Sequence, residues 1–235
     1  MSARQDFSFR GQITLDGPSG TGKSSVARAV AARLGAAYLD TGAMYRAATV
    51  AVLDAGVDPD DAEAVARAVA AAHIEVGTTA DAELVQVGGV DVADRIRSAV
   101  VTRAVSAVSA VPAVRRQLVD HQRALVAAAD AVVVEGRDIG TVVLPDATLK
   151  IYLTAAPEVR AQRRAGQLGL TQDSEITELA ADLRRRDEYD SGRVDSPLRP
   201  ATDAVVVDST ELDREAVVAA VVELAASAVG AGNTS

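Results

Sequence analysis

The sequence predicts an α/β fold built on a mostly parallel sheet with helices on both faces. Short apolar runs at 12–16, 37–40, 131–135, 149–153 and 204–207 read as strands. Helical patterns lie between and after them, near 22–34, 43–55, 112–128, 157–168, 174–188 and 213–228. Strands alternating with helices are the signature of crossover units, whose helices cover both sides of a parallel sheet. The first strand also runs straight into a glycine-rich loop and a helix, in "LDGPSGTGKSSVAR" at 15–28.

Taken in order, Ile13-Thr14-Leu15 is the first strand. Gly17 to Ser24 then reads G-x-x-x-x-G-K-[ST], a loop that points backbone N–H groups at a phosphate chain. Its expected triphosphate-binding residues are Gly17, Pro18, Ser19, Gly20, Thr21, Gly22, Lys23, Ser24 and Ser25. Lys23 would reach the β- and γ-phosphates, and the Ser24 hydroxyl would bind Mg²⁺. Lys23 is one of only two lysines, the other being Lys150. In the following helix Val26, Ala27, Val30, Ala31 and Leu34 share one side. The segment 44–128 reads as an insertion. Within it "HIEVGTTADAELVQVGGVDV" (73–92) holds β-rich runs around Gly88-Gly89, a hairpin signal that predicts a small antiparallel sheet. A helical stretch at 98–111 follows.

With 235 residues, 49% hydrophobic and 24% charged, the chain is expected to be globular and soluble. A formal net charge of −9 argues against a general nucleic-acid binder. No cysteine is present, and His73 and His121 are the only histidines, so thiolate and zinc chemistry are not expected. The N-terminal MSARQDFSFRGQ has no apolar signal core, and no apolar run is long enough to span a membrane. A cytoplasmic protein with a frayed 229–235 tail is expected.

A nucleotide loop leaves three fates for the γ-phosphate. A GTPase switch would need N-K-x-D, and the one asparagine is Asn233. A hydrolytic ATPase usually keeps an acidic residue at a strand end, for which Glu135 and Asp208 both qualify. Transfer to a phosphorylated acceptor brings two anions together, so it needs extra fixed cations, and arginine forks suit phosphate best. Three places supply them: Arg46 in "TGAMYR", Arg137 in "GRD" after the third core strand, and "RRRDEYDSGR" (184–193). In the last, Arg186, Asp190 and Arg193 fall at i, i+4 and i+7. Each alone fits a solvated charged surface equally well; together at strand ends they describe an anion-lined cleft. Arg160, Arg163 and Arg164 form a further cluster ahead of the polar "AGQLGLTQDSE", which reads as a mobile flap.

At this point the residues resemble the bacterial cytidylate kinase family of nucleoside monophosphate kinases. The resemblance spans about 13–224 and rests on "ITLDGPSGTGKSS", "YLDTGAMYRA", "VVEGRDIGTVV", "RRRDEYDSGR" and "VVDST". It implies a P-loop, NMP-kinase-like three-layer sandwich with a five-stranded parallel sheet, a helical NMP-binding insertion carrying the small sheet, and a short lid. The implied division is core at 1–43, 129–160 and 176–228, insertion at 44–128, lid at 161–175 and flexible tail at 229–235.

By the same resemblance Thr41, Arg46, Arg137 and Arg193 hold the acceptor 5′-phosphate. Ser106, Arg115 and Asp138 read the cytosine edge, with Ser109 and Arg116 open to the same roles in a repetitive Ala/Val stretch. Arg186 and Asp190 contact the sugar or phosphate, and the lid residues Arg160, Arg163 and Arg164 close on the transferring group. Catalysis falls to Lys23, Arg137, Arg186 and Arg193, with ATP, Mg²⁺ and CMP or dCMP as ligands and a monomer expected. The acceptor oxygen is already a nucleophile, so no general base is needed. Alternatives are the same architecture acting on UMP, shikimate or gluconate, or a P-loop ATPase or nucleotide-binding regulator.

Overall fold

The computed structural model describes residues 9–193 and 195–232. Its centre is a five-stranded parallel sheet of β1 (Gly11–Asp16), β2 (Ala37–Asp40), β6 (Ala131–Gly136), β7 (Leu149–Thr154) and β8 (Val205–Asp208). The order is β2-β6-β1-β7-β8, so β1 lies in the middle. Register aligns Asp16 with Gly136 on one side and Tyr152 on the other, which gathers the P-loop and the "GRD" loop at one carboxyl edge. Ligands of open α/β sheets bind at that edge.

Two apolar cores sandwich the sheet. Successive residues of a strand face opposite sides, and β6 divides accordingly. Val133 packs with α1 (Lys23–Leu34) and α8 (Arg214–Gly232) through Val26, Val30, Val218 and Val221. Val132 and Val134 pack on the other side, with Met44 of α2 (Thr41–Asp54) and Leu118 of α5 (Pro112–Ala127). That second core also takes in Val65 and Val69 of α3 (Ala62–Ala71) and Val101 and Val108 of α4 (Ala99–Ala110). The 44–128 segment therefore shares its core with the sheet. Its small antiparallel sheet, β3 (Ile74–Val76), β4 (Val85–Val87) and β5 (Val90–Asp91), turns at Gly88-Gly89 as the hairpin signal predicts.

Several boundaries differ from the sequence expectation. Helix α2 starts at Thr41 because the Asp40 carboxylate accepts the Ala43 N–H at 3.0 Å and caps it. Helix α3 was not foreseen, although Asp61 caps it in the same way. The 98–111 stretch does form a helix, α4, with an unforeseen short turn at Arg95–Arg97 ahead of it. The segment 161–175, expected as a lid, is mostly helical, because α6 (Pro157–Leu168) and α7 (Asp173–Ser191) leave only 169–172 between them. Arg186 and Asp190 lie on α7, but Arg193 falls beyond its Gly192 cap, so the three do not form one helical face. The 229–235 tail was expected to fray, yet α8 continues to Gly232; 233–235 lie outside the described residues. Among the described residues no helix is long and apolar enough to cross a membrane.

Candidate active site

The P-loop is held from within and from β6. Thr21 Oγ1 and Lys23 Nζ both donate to the Pro18 carbonyl, at 3.1 and 2.8 Å. Ser25 Oγ donates to the Gly22 carbonyl at 2.8 Å. Ser24 Oγ donates to Glu135 Oε2 at 2.9 Å, and the Tyr38 hydroxyl bonds the other oxygen of that carboxylate. Asp208, the other acidic strand-end candidate, is exposed and accepts from Thr210 instead. Burial pushes the Lys23 ammonium down to about 7, and the neighbouring Arg137 charge acts in the same direction. Glu135 is pushed up to about 7 by burial and then by the Asp40 carboxylate. Asp16, at the end of β1, accepts the Ile139 and Gly140 N–H groups at 2.9 and 2.7 Å; burial raises it to about 6 against those bonds. A triphosphate would add negative charge beside Lys23 and oppose the burial and the Arg137 charge that depress it.

The "GRD" loop faces this loop across the sheet edge. Arg137 donates to the Gly17 carbonyl and to Ser19 Oγ, each at 2.5 Å, and its Nε lies 3.3 Å from Asp190 Oδ2. The other Asp190 oxygen pairs with Arg193 Nη2 at 2.6 Å. Arg193 also donates to Ser109 Oγ at 3.0 Å and lies over the Tyr189 ring. Arg46 donates to the Ile96 carbonyl and to Thr102 Oγ1, at 2.8 and 3.0 Å. Arg46 and Arg186 are each pushed down to about 10, by burial and then by another arginine, Arg164 for the first and Arg137 for the second. The Nε atoms of Arg186 and Arg193 are buried with no partner among the described residues. The cluster thus carries more buried positive charge than its own carboxylates answer.

Beside it, Arg115 pairs with Asp138 and donates to the Ser109 carbonyl at 3.4 Å, with the Tyr45 ring 5.4 Å below its guanidinium. Ser109 Oγ donates in turn to the Ser106 carbonyl at 3.1 Å. Ser109 rather than Ser106 is the serine in hydrogen-bond contact with Arg115 and Arg193. Thr41 Oγ1 donates to the Glu135 carbonyl at 2.7 Å, tying the start of α2 to the end of β6. The three arginines of α6 part company. Arg160 donates to the Ser19 carbonyl at 3.1 Å and pairs with Asp187. Arg163 donates to Ser209 Oγ and to the Ser209 and Leu212 carbonyls, at 2.9, 2.6 and 3.2 Å, on the loop after β8. Arg164 donates to Gln167 Oε1 at 3.0 Å, near enough to Arg46 and Arg97 for charge repulsion.

Sequence reasoning missed Asp187, which accepts the Ser19 N–H at 3.3 Å, and Tyr45 under Arg115. Both sit inside quoted motifs, so their presence was visible and their direction was not. The sequence profile of the family described as cytidylate kinase matches residues 13–227, across both the loop and the arginine cluster.

The chain belongs to the cytidylate kinase family. It is 53% identical over 221 residues to a cytidylate kinase of Rhodococcus opacus (strain B4), covering 94% of this chain and 96% of that one. It is 52% identical to one of Nocardia farcinica (strain IFM 10152), over 94% of this chain and 96% of that one. It is 50% identical to one of Mycobacterium leprae (strain Br4923), over 93% and 97%. Every residue of the described site therefore lies within the span this cytidylate kinase family match covers.

Proposed function

We propose that the protein transfers the γ-phosphate of ATP to CMP or dCMP, giving CDP or dCDP. The observation that carries this is the facing pair of sites. A P-loop with a half-buried Lys23 shares Arg137 with an arginine cluster whose charge exceeds its own carboxylates. An ATPase has no use for that second cluster.

In this reading the P-loop N–H groups and Lys23 hold the donor phosphates. Arg46, Arg137 and Arg193 clamp the acceptor phosphate, and Asp190 keeps the last two in place. Arg186, half-buried among the others, adds charge against the developing transition state. Arg115 and Asp138 read the base. The acceptor oxygen attacks the γ-phosphorus in line, the bond to the β–γ bridging oxygen breaks, and ADP leaves with those electrons. Arg160 and Arg164 approach from α6 and exclude water, which suppresses hydrolysis.

A divalent cation fits this donor set. Ser24 Oγ and Glu135 Oε2 are hard oxygens 2.9 Å apart. Phosphate oxygens and water would complete the shell. Mg²⁺ bound there would neutralise phosphate charge. The same reading makes the protein a cytoplasmic monomer working on free nucleotides, in keeping with a net charge of −9.

The test is ADP release measured with ATP alone and with CMP, dCMP, UMP, shikimate or gluconate added. Turnover that depends on CMP or dCMP is expected. Equal turnover without acceptor would make the protein an ATPase, and preference for another acceptor would move the assignment there.

A further inference from the structure

We propose that Asp187 is a donor-site residue that occupies the γ-phosphate end of the P-loop and sets the preference for triphosphate over diphosphate. The proposal rests on the donor reading given above.

Four observations place it. Asp187 Oδ1 accepts the Ser19 N–H at 3.3 Å, so a carboxylate takes one of the backbone donors the loop holds out to phosphate. Its other oxygen pairs with Arg160, which itself donates to the Ser19 carbonyl at 3.1 Å. The Asp187 charge also acts on Lys23, the lysine that reaches the β- and γ-phosphates. Finally, Ser19 Oγ receives Arg137, which belongs to the acceptor clamp. Ser19 is therefore on the side of the loop that faces the acceptor, and the transferring phosphoryl group must sit between the two.

Ser19 is thus held by three side chains from three elements: Arg137 after β6, Arg160 on α6 and Asp187 on α7. Two of the three are cations suited to phosphate. The third is an anion in the place of one. The carboxylate satisfies the Ser19 N–H and the Arg160 guanidinium, and it fastens α6 and α7 to the loop. A γ-phosphate would meet Asp187 head on, since like charges at close range repel. It must displace the carboxylate and inherit both Arg160 and the Ser19 N–H. A diphosphate ends one phosphate earlier and leaves the carboxylate where it is. ATP entry is then coupled to release of α7 from the loop, and ADP departure is assisted by the carboxylate's return.

The sign of the effect separates this from an ordinary binding role. A residue that holds ATP weakens binding when removed. Asp187→Asn keeps the shape and removes the charge, so it should tighten ATP by about fivefold or more, the low end of the coupling between linked equilibria. ADP should change little, and the ATP-to-ADP ratio of affinities should rise. Asp187→Glu keeps the charge and should retain the wild-type ratio.

Calorimetric titration of wild type and both variants with Mg–ATP and Mg–ADP reads this directly, with thermal midpoints recorded alongside. An Asp187→Asn variant that binds ATP no tighter, or tightens ATP and ADP equally, overturns the proposal. So does one that fails to fold, since the carboxylate would then belong to the scaffold. If wild-type protein binds no ATP, the donor reading itself fails; if it binds ATP and only the ratio stays fixed, the failure is confined to Asp187.

Discussion

Asp138 and Arg115 form an ion pair in which each side chain is only 6% exposed. Cytosine offers an amino donor at C4 and an acceptor at N3, and uracil reverses both. A carboxylate beside a guanidinium matches the first pattern and opposes the second. Hydrogen-bonding sites reject mismatched analogues far better than apolar ones do. Asp138→Ala should lower kcat/KM for CMP by roughly a hundredfold or more, change that for UMP little, and collapse their ratio. It also strands a buried guanidinium, which costs about 3–5 kcal/mol. The Arg115→Met, Asp138→Leu double variant should recover most of that stability in a denaturant melt while leaving the ratio collapsed. Equal losses for CMP and UMP in the single variant would make the pair a scaffold element.

The proposed acceptor clamp predicts a stabilising anion. Arg46 and Arg186 are depressed to about 10 by burial and by other arginines, and the Arg186 Nε has no partner among the described residues. A dianion would relieve that crowding. Anything that binds only the folded state at a hundred times its Kd adds about 2.7 kcal/mol. Inorganic phosphate and CMP should both raise the thermal midpoint, and cytidine should not. Arg186→Gln should abolish most of the phosphate effect. Arg137→Ala should cost about 2–5 kcal/mol in kcat/KM for CMP, because it removes one partner of a buried charged cluster. A midpoint raised equally by cytidine would show that the base, and not the phosphate, anchors the acceptor.

Lys23 gives a pH dependence with a definite sign. Its folded pKa is depressed to about 7, by burial and by Arg137, from an ordinary 10.5. Between those values Lys23 is mostly neutral amine. A triphosphate favours the ammonium and raises the pKa again, so binding must take up a proton in that window. Below about 7 the lysine is already charged and the uptake vanishes. Calorimetry of Mg–ATP binding near pH 8.5, in two buffers of different ionisation enthalpy, should show uptake approaching one proton. Lys23→Met should remove it and cut kcat by orders of magnitude, with little change in thermal midpoint. Proton release by the wild type near pH 8.5 would mean that another group dominates.

The strands were legible because parallel strands covered on both faces read as near-continuous apolar runs, as "AVVVEG" does. The P-loop was legible because its spacing is local. Helix α3 was not, since its Ala-rich segment buries little beyond Val65 and Val69. The arginines of the site could be picked out, but not their partners. Arg115 and Asp138 lie 23 residues apart and meet only when α5 packs beside the loop after β6. Likewise "RRRDEYD" shows that charge is concentrated there. It does not show that Asp187 faces the P-loop while Asp190 braces two arginines. Nor could the shared core between 44–128 and the sheet be seen, because contacts between distant segments leave no periodicity.

Two glycines with positive φ make a sharp contrast. Gly17 opens the P-loop at φ 148°, and a Cβ there would lie 2.0 Å from the Leu153 carbonyl oxygen. That oxygen is backbone in β7, beside the central strand, so it cannot step aside without disturbing the sheet. Gly35 ends α1 at φ 62°, and a Cβ there would meet nothing within 4 Å. An alanine at Gly35 therefore pays only the conformational penalty, about 1 kcal/mol. An alanine at Gly17 pays that and a clash with rigid backbone, and the strain falls on the loop that holds the donor phosphates. Gly35→Ala should shift the denaturant midpoint slightly and leave ATP affinity unchanged. Gly17→Ala should either fail to fold or fold with ATP affinity lost, because the chain can relieve the clash only by moving the first residue of the cradle. Urea melts and Mg–ATP titrations of the two variants side by side decide it. Normal ATP binding by Gly17→Ala would mean that the loop does not need its observed approach to β7.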